Sequence, residues 1–344
     1  MRKPVRDEFD FIAAVQRRAQ SLRRPADLQQ GIGDDAAVFR QRAGRDTVIT
    51  ADLLVEDIDF RRRSTPPDAL GHKALAVSLS DIAAMGARPR YALLSVGVHC
   101  AIWRTRFLED FYEGFFALAA RTGVALIGGD VSRTPEHIVI DCIVLGEAKH
   151  KHMIQRAGAR PGDQLFVTGA LGGATAGLRE LESRRGRRNA SATARARRLS
   201  ARERTALIAR QQRPEPRLTW GALLGEQRLA SAMIDLSDGL SSDLAHLCRA
   251  SDAGALIEAA SIPVDPNIAA AGFDNSAALD FALHGGEDFE LLFAVSPRKA
   301  ARLPRELDGA PVTRIGEVRP VAEGLKIRAH GRTRTLKPAG FQHF

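Results

Sequence analysis

The chain has 344 residues and a mass of 37.3 kDa, and 44% of its residues are hydrophobic and 26% charged. These values are typical of globular proteins and exclude the collagen-like, disordered and disulfide-scaffold classes. The length predicts two domains, which we place at residues 1–148 and 149–344.

The net charge of +9 is concentrated in one segment. Residues 184–213 contain eleven arginines and one acid, Glu203, and their net charge of +10 leaves −1 for the rest of the chain. We therefore treat residues 183–213 as an arginine-rich insert and expect a solvated or partly disordered arm. Binding of a polyanion through this arm is the alternative. We do not expect nucleic acid as a partner, because the segment is poor in aromatics and rich in Arg, Ala and Ser, as a solvated arm would be.

The cysteine count and the hydropathy indicate a cytoplasmic setting. Three cysteines, Cys100, Cys142 and Cys248, are too far apart for a C-x-x-C pair, and their odd number argues against a disulfide framework. The N-terminus has no apolar stretch that resembles an export signal. The longest uncharged run, residues 91–103, is too short to cross a bilayer, so we expect no membrane association.

The first half of the chain alternates between helical and extended patterns. Apolar spacing predicts a helix over residues 8–19, a strand over 47–55 and a helix that begins near Pro66 and Pro67 and ends at Gly86. The remaining predictions for this half are a strand at 91–98, a helix at 105–121, an apolar run at 124–127 before Gly128-Gly129-Asp130, and a strand at 137–145.

The second half begins a new round of strand, glycine-rich turn and helix after a loop at residues 156–162. Its predicted elements are the strand QLFVTG, a helix that starts in ALGGATAGLREL, the insert, a short helix at 218–224, an extended run at 232–234, the turn DLSDG, a helix at 241–250, a strand at 255–258, and GGEDFELLFAV. The mixture indicates an α/β (α+β) protein.

Acids recur at the ends of apolar runs, and the common nucleotide-binding and nucleophile motifs are absent. No P-loop, G-x-S-x-G, H-E-x-x-H or strand-anchored G-x-G-x-x-G occurs. Singly, each acid has an ordinary explanation as a turn residue, a helix N-cap or a surface ion pair. Together, carboxylates buried at strand ends would repel one another unless cations compensated them, which indicates Mg²⁺ and phosphate chemistry. The acids are Asp34, Asp35, Asp52, Asp81, Asp130, Asp235, Asp238, Glu287 and Asp288.

These motifs resemble those of thiamine-monophosphate kinase, a family within the aminoimidazole ribonucleotide synthetase-like superfamily of ATP-binding enzymes. The matching segments occur in order over nearly the whole chain, and only the insert clearly falls outside them. They are GIGDDAAV, VITADLLVEDIDF, KALAVSLSDIAAMGARP, LIGGD, RAGARPGD, DLSDGLSSDL, GGEDFELLF and GFQHF.

The resemblance implies transfer of the γ-phosphoryl group of ATP to thiamine monophosphate, with several Mg²⁺ ions. It also implies two α/β domains, N-terminal strands that form a barrel across a homodimer, and an active site between the domains. Family metal positions fall on Asp34, Asp35, Thr50, Asp52, Asp81, Asp130, Asp235 and Asp238. ATP positions fall on or near Tyr112, Gly129, Asp130, Arg156 and Ser237, and substrate positions on Asp59, Glu287 and Phe341.

The chemistry of the acceptor supports this assignment. A phosphate monoester has a second pKa of about 6, so it is largely a dianion near neutral pH and needs no general base. Two departures stand out: Ala51 replaces a usual Thr or Ser, and Asp59 replaces a frequent His. Another enzyme of the superfamily is the alternative, but selenophosphate synthetases and hydrogenase-maturation proteins would require a reactive cysteine near one terminus, which this chain lacks.

Overall fold

The computed structural model describes residues 28–30, 37–186 and 201–341, and the side chains of residues 43–182 and 202–341. The predicted helix at 8–19, the acids Asp34 and Asp35, and residues 187–200 of the insert lie outside the described residues. In the part that is described, no helix is long and apolar enough to cross a membrane.

The first structural unit is a six-stranded sheet with helices on one face. Its strand order is β1-β2-β3-β6-β4-β5, in which only the β4–β5 pair is parallel. The strands are β1 (Leu28–Gln30), β2 (Ala37–Arg42), β3 (Arg45–Val55), β4 (Arg88–Val98), β5 (Ala125–Arg133) and β6 (Val139–Lys149). The helices are α1 (Pro67–Ala84), α2 (Cys100–Trp103) and α3 (Phe107–Thr122).

Helix α1 is buried on nearly all sides. It packs against α3 and the sheet of its own unit and also against elements of the second unit, so its sequence is almost uniformly apolar or small. Pro67 occupies the first turn, where a proline costs no hydrogen bond, and Gly86 follows the helix with a φ of +67°. The predicted limits of this helix are therefore confirmed to within two residues.

The second unit is an eight-stranded mixed sheet. Its order is β14-β13-β9-β12-β7-β10-β8, with β11 paired to β12, and only β13 and β9 run parallel. The strands are β7 (Gln164–Thr168), β8 (Ala230–Asp235), β9 (Ala253–Glu258), β10 (Leu291–Val295), β11 (Glu306–Leu307), β12 (Ala310–Pro320), β13 (Leu325–Ala329) and β14 (Arg332–Thr335). The helices are α4 (Gly173–Gly186), α5 (Ala201–Gln212), α6 (Leu218–Glu226), α7 (Leu240–Ala250), α8 (Pro266–Ala270), α9 (Asn275–His284) and α10 (Pro297–Ala300).

The observed architecture confirms the predicted mixed α/β fold with two units, whereas the domain limits at residues 148 and 149 stay a prediction. Each unit has its own apolar core, and a third cluster joins α1 to α6 and to strands of the second sheet. The interface between the units is therefore partly hydrophobic, which stabilises one arrangement of the two sheets.

Helix α5 corrects the prediction that residues 183–213 form a solvated arm. Leu207 is 0% exposed and packs with Ala176, Ile268 and Ala278. Gly177 of α4 lies so close to this helix that a Cβ there would be 2.0 Å from the carbonyl oxygen of Leu207. The segment contains a short amphipathic helix that packs against α4, and its high arginine content is the reason why the sequence pattern did not predict that helix.

This correction predicts a large stability effect for one substitution. We expect Leu207→Ala to lower the free energy of unfolding by about 2–4 kcal/mol, because it leaves a cavity in a packed interface. Arg202→Ala, on the exposed side of the same helix, should change it by no more than about 0.5 kcal/mol. Urea unfolding of the two variants distinguishes a packed helix from an arm, for which both changes would be nearly neutral.

Candidate active site

One turn of helix α1 connects the two sheets through polar side chains. The hydroxyl of Ser78 donates to Asp52 of β3 over 2.6 Å, and the hydroxyl of Ser80 donates to Asp235 of β8 over 2.7 Å. Asp81 accepts a hydrogen bond from the hydroxyl of Thr50, also on β3. The segment SLSD therefore places four of the predicted metal-position residues around a single helical turn.

Two loops of the second unit lie side by side next to this turn. The backbone N–H of Glu287 donates to the carbonyl of Ser237 over 2.8 Å, and the N–H of Leu236 donates to the carbonyl of Glu290, also over 2.8 Å. The backbone of Glu287 has a φ of +67°, a strained value for a residue with a side chain. The pairing of the loops holds this conformation and brings the segments DLSDG and GGED together.

The carboxylate of Glu287 is held from two directions. Lys73 of α1, 1% exposed, forms an ion pair with Glu287 in which Nζ lies 2.5 Å from Oε1. The amide nitrogen of Gln211 on α5 donates to the other oxygen, Oε2, over 3.1 Å. A buried ammonium group requires a nearby negative charge, so the first unit and the GGED loop are linked at this point.

A cavity of about 340 Å³ opens between the two units at these residues. Among the residues that line it are six predicted site residues: Asp52, Asp59, Ser237, Asp238, Glu287 and Phe341. The backbone N–H of Phe341 donates to the carbonyl of Asp238, so the C-terminal segment is attached at the cavity wall. The structure thus brings the predicted substrate positions together with part of the predicted metal and ATP positions.

Seven other predicted residues that the structure describes do not line this cavity. Three of them, Thr50, Asp81 and Asp235, belong to the hydrogen-bonded group around α1, and four lie elsewhere. Gly129 and Asp130 lie on the exposed edge strand β5, and Asp130 is in register with Ser95 of β4. Three strand spacings, about 14 Å, separate β5 from β3 and therefore Asp130 from Asp52. Tyr112 packs edge-on against Phe111, and the carbonyl of Arg156 accepts a hydrogen bond from Ser251.

The donor set is chemically suited to Mg²⁺ but is not a closed cage. Its side chains offer carboxylate and hydroxyl oxygens, the ligands that hard cations prefer. Within the described ranges, no three His, Cys, Asp or Glu side chains converge on one point that could hold a metal ion. This arrangement fits an ion that takes one or two carboxylates and completes its coordination with water and phosphate oxygens.

The acids of the DLSDG turn lie close enough to influence one another. Asp243 accepts hydrogen bonds from the backbone N–H groups of Asp238 and Gly239. Burial, reinforced by the negative charges of Asp238 and Asp235, raises the pKa of Asp243 well above its usual range. Burial and the neighbouring charges of Asp238 and Asp235 therefore favour the neutral form of Asp243 behind this turn.

Helix α5 and the following residues connect the two units. Gln212 donates to the carbonyl of Ser64, and Arg213 pairs with Asp68 at the start of α1. In the second unit, Arg210 and Arg217 both pair with the fully buried Glu290. The last part of the predicted insert is therefore a structural wall of the site.

Sequence reasoning did not identify Lys73 and Gln211. Lys73 left a signal, since it is the one ammonium group in an otherwise apolar or small stretch of α1, KALAVSLSD. Gln211 left none, because its segment has the composition of a solvated arm and its partner lies 76 residues further along the chain.

A larger cleft of about 820 Å³ contains none of the predicted site residues. It lies between the ends of β3, β4 and α3 on one side and α6 and the β11–β12 hairpin on the other. Two of its arginines, Arg88 and Arg121, already pair with Glu226 and Glu215. The smaller cavity is therefore the better candidate for chemistry.

The chain is similar to one family of domains and to individual thiamine-monophosphate kinases. The AIR synthase related protein family matches with its N-terminal domain over residues 33–148 and with its C-terminal domain over residues 160–326. The thiamine-monophosphate kinase of Bacillus subtilis (strain 168) is 34% identical over 98% of this chain and 99% of its own length. That of Escherichia coli (strain K12) is 37% identical over 98% of each chain.

Solved structures match over similar lengths. The structure of AaThiL complexed with AMPPCP and TMP is 29% identical, covers 100% of this chain and 99% of its own, and has a TM-score of 0.82. The thiamine-monophosphate kinase from Stenotrophomonas maltophilia K279a is 34% identical, covers 94% of this chain and 97% of its own, and has a TM-score of 0.74. Hydrogenase maturation protein HypE, at 20% identity and a TM-score of 0.64, shares the fold.

The unequal burial of the Lys73–Glu287 pair predicts unequal costs of removing its two members. Glu287→Ala leaves an ammonium group, 1% exposed, without its counter-charge, so we expect the free energy of unfolding to fall by about 3 kcal/mol. Lys73→Met replaces the ammonium by an apolar group and leaves a carboxylate that is 31% exposed, so its cost should be about 1 kcal/mol.

Combining the two substitutions provides the control. The double variant Lys73→Met/Glu287→Ala should be more stable to urea than Glu287→Ala alone, because no charge remains buried without a partner. Additive costs in the double variant would contradict a buried ion pair.

Proposed function

This chain belongs to the thiamine-monophosphate kinases, and from that membership we propose that it transfers the γ-phosphoryl group of ATP to thiamine monophosphate, producing thiamine diphosphate. The observation that carries the proposal is the cavity in which Asp52, Asp238 and Glu287 meet between the two units. A related protein has been solved with AMPPCP and TMP together, which supports a site that accepts a nucleotide and a second phosphorylated molecule.

We assign roles to the residues by their position. Asp52, Asp81, Asp235 and Asp238, with Thr50, would hold Mg²⁺ on both sides of α1, and the metal would neutralise phosphate charge and align the two reactants. Glu287, Asp59 and Phe341 form the part of the cavity wall that we assign to the thiamine moiety. Asp34, Asp35 and Asp130 remain proposed metal positions, and Tyr112, Gly129, Asp130, Arg156 and Ser237 proposed ATP positions.

We propose direct transfer between the two phosphates without a general base. The acceptor oxygen belongs to a phosphate that is already ionised at neutral pH, so the side chains have to orient two anions and keep them together. His72 and His246 are poor candidates for a base, because burial lowers the pKa of both, that of His246 to about 4.

We also propose that the protein works as a homodimer in the cytoplasm. The face of the first sheet that bears no helix exposes large apolar side chains, among them Leu53 and Ile127 at 58% and 55%. Such a surface is typical of an interface, and N-terminal strands could pair across it. All three cysteines are free, as expected for a protein in a reducing compartment such as the cytoplasm. We also keep the proposed domain limits, 1–148 and 149–344.

The assignment is tested directly by turnover. Purified protein incubated with ATP, Mg²⁺ and thiamine monophosphate should form thiamine diphosphate and ADP in equal amounts, as measured by chromatography. Omission of Mg²⁺ should abolish the product, and a chain that hydrolyses ATP without forming it would contradict the proposal.

A substitution in α1 tests the metal assignment. Asp81→Asn preserves the size of the side chain and removes its charge, so we expect kcat to fall at least about a hundredfold with the fold retained. Asp110→Asn, the same change at a partly exposed ion pair on α3, should leave kcat within about twofold. If Asp81→Asn turned over normally at saturating Mg²⁺, Asp81 would have a structural role and would not be a metal ligand.

The absence of a general base predicts the pH profile. As pH rises, the acceptor phosphate loses its second proton near pH 6, so kcat at saturating ATP and Mg²⁺ should rise through that region and stay flat from about pH 7 to 9. The folded-state pKa of His246, about 4, lies outside this range, so its titration adds no limb. A limb between pH 7 and 9 that disappeared in His72→Ala or His246→Ala would contradict direct transfer.

A further inference from the structure

Gln211 has an unused hydrogen-bond acceptor in the candidate active site. Its side chain is 6% exposed, lines the cavity, and donates through Nε2 to Oε2 of Glu287. Because an ionised carboxylate can only accept, the amide nitrogen must face Glu287 and the amide oxygen must point elsewhere. Among the residues described, that oxygen, Oε1, is buried and has no hydrogen-bond partner.

The surroundings show which ligand group would satisfy this oxygen. The wall of the same cavity contains Glu287, which Gln211 contacts, and Asp59, and the carboxylates of both accept hydrogen bonds. Of the cations here, Lys73 is already paired with Oε1 of Glu287, and Arg61, which lines the cavity, is paired with Glu182. A group that carries two N–H donors and no negative charge would therefore complement this corner of the cavity.

We propose that Gln211 determines specificity by accepting a hydrogen bond, at Oε1, from an exocyclic amino group of the acceptor substrate. This inference rests on the proposed function, because thiamine monophosphate carries such a group, the 4-amino group of its pyrimidine ring. Lys73 and the Nε2 group of Gln211 hold Glu287 beside that position and act as positioning groups.

The choice of glutamine is consistent with this role. A glutamate at position 211 would place a second carboxylate against Glu287, and the two negative charges would repel each other. An apolar residue would remove both the donor to Glu287 and the free acceptor. An amide supplies the donor and the acceptor without adding charge.

The experiment compares two acceptors that differ at position 4 of the pyrimidine and, as a consequence, in the protonation of the adjacent ring nitrogen. Thiamine monophosphate and oxythiamine monophosphate, in which a carbonyl replaces the 4-amino group, are assayed with the unsubstituted protein and with Gln211→Met. We expect the unsubstituted protein to prefer the amino compound in kcat/KM, and Gln211→Met to reduce that preference at least about tenfold. The KM for ATP should change by less than about twofold.

The matched control lies one residue away. Gln212 is also buried on α5, but its amide donates to the carbonyl of Ser64 and does not line the cavity. Gln212→Met should therefore keep the preference for the amino compound even if it lowers stability. If Gln211→Met does not fold, Gln211→Asn retains the amide and withdraws the acceptor by one methylene, and it should lose the preference in the same direction.

The outcomes separate the two proposals. An unchanged preference in a folded Gln211 variant, with normal turnover by the unsubstituted protein, would overturn the role of Gln211 and leave the proposed function intact. A failure of the unsubstituted protein to phosphorylate thiamine monophosphate would overturn the proposed function and this inference together.

Discussion

The ammonium group of Lys73 is the constraint on which the arrangement of the two units depends. It sits in a helix that is buried on nearly all sides, where an unpaired charge would be strongly destabilising. Its partner, Glu287, comes from a loop of the other unit and adopts a strained backbone conformation to reach it. The ion pair therefore requires the two units to meet at this point, where the cavity opens.

Helix α1 fixes the other polar residues of the site relative to this ion pair. Seven residues after Lys73, Ser80 donates to Asp235 of the second sheet, while Ser78 donates to Asp52 of the first. A shift of the helix by a fraction of a turn would break both hydrogen bonds at once, because side chains in a packed interior have little room to follow. The predicted metal-position residues of the two units are therefore aligned by one rigid element.

The candidate site was largely predictable from sequence because its residues occur in short local motifs. Asp52 ends an apolar run, Asp238 precedes a glycine and Glu287 follows one, and these patterns are visible without knowledge of distant contacts. Helix α5 was not predictable, because its fold depends on Leu207 packing against distant residues in a segment dominated by arginine. Strand β14 was missed for a related reason: Arg332–Thr335 is exposed throughout and has no alternating pattern.

Three acids in the segment GGEDFE show how environment assigns different roles to the same chemistry. Glu290 is fully buried, and the guanidinium groups of Arg210 and Arg217 with the hydroxyl of Thr168 occupy its oxygens. Asp288 accepts the backbone N–H groups of Gly172 and Ala174 at the start of α4, and its burial raises its pKa to about 7. Glu287 alone among the three lines the cavity and is partly exposed, with its carboxylate oriented by groups behind it. Because internal partners occupy the oxygens of Asp288 and Glu290, the charge available to a ligand at this loop is that of Glu287. Helix α5 contributes to both environments, since its Arg210 pairs with Glu290 and its Gln211 donates to Glu287.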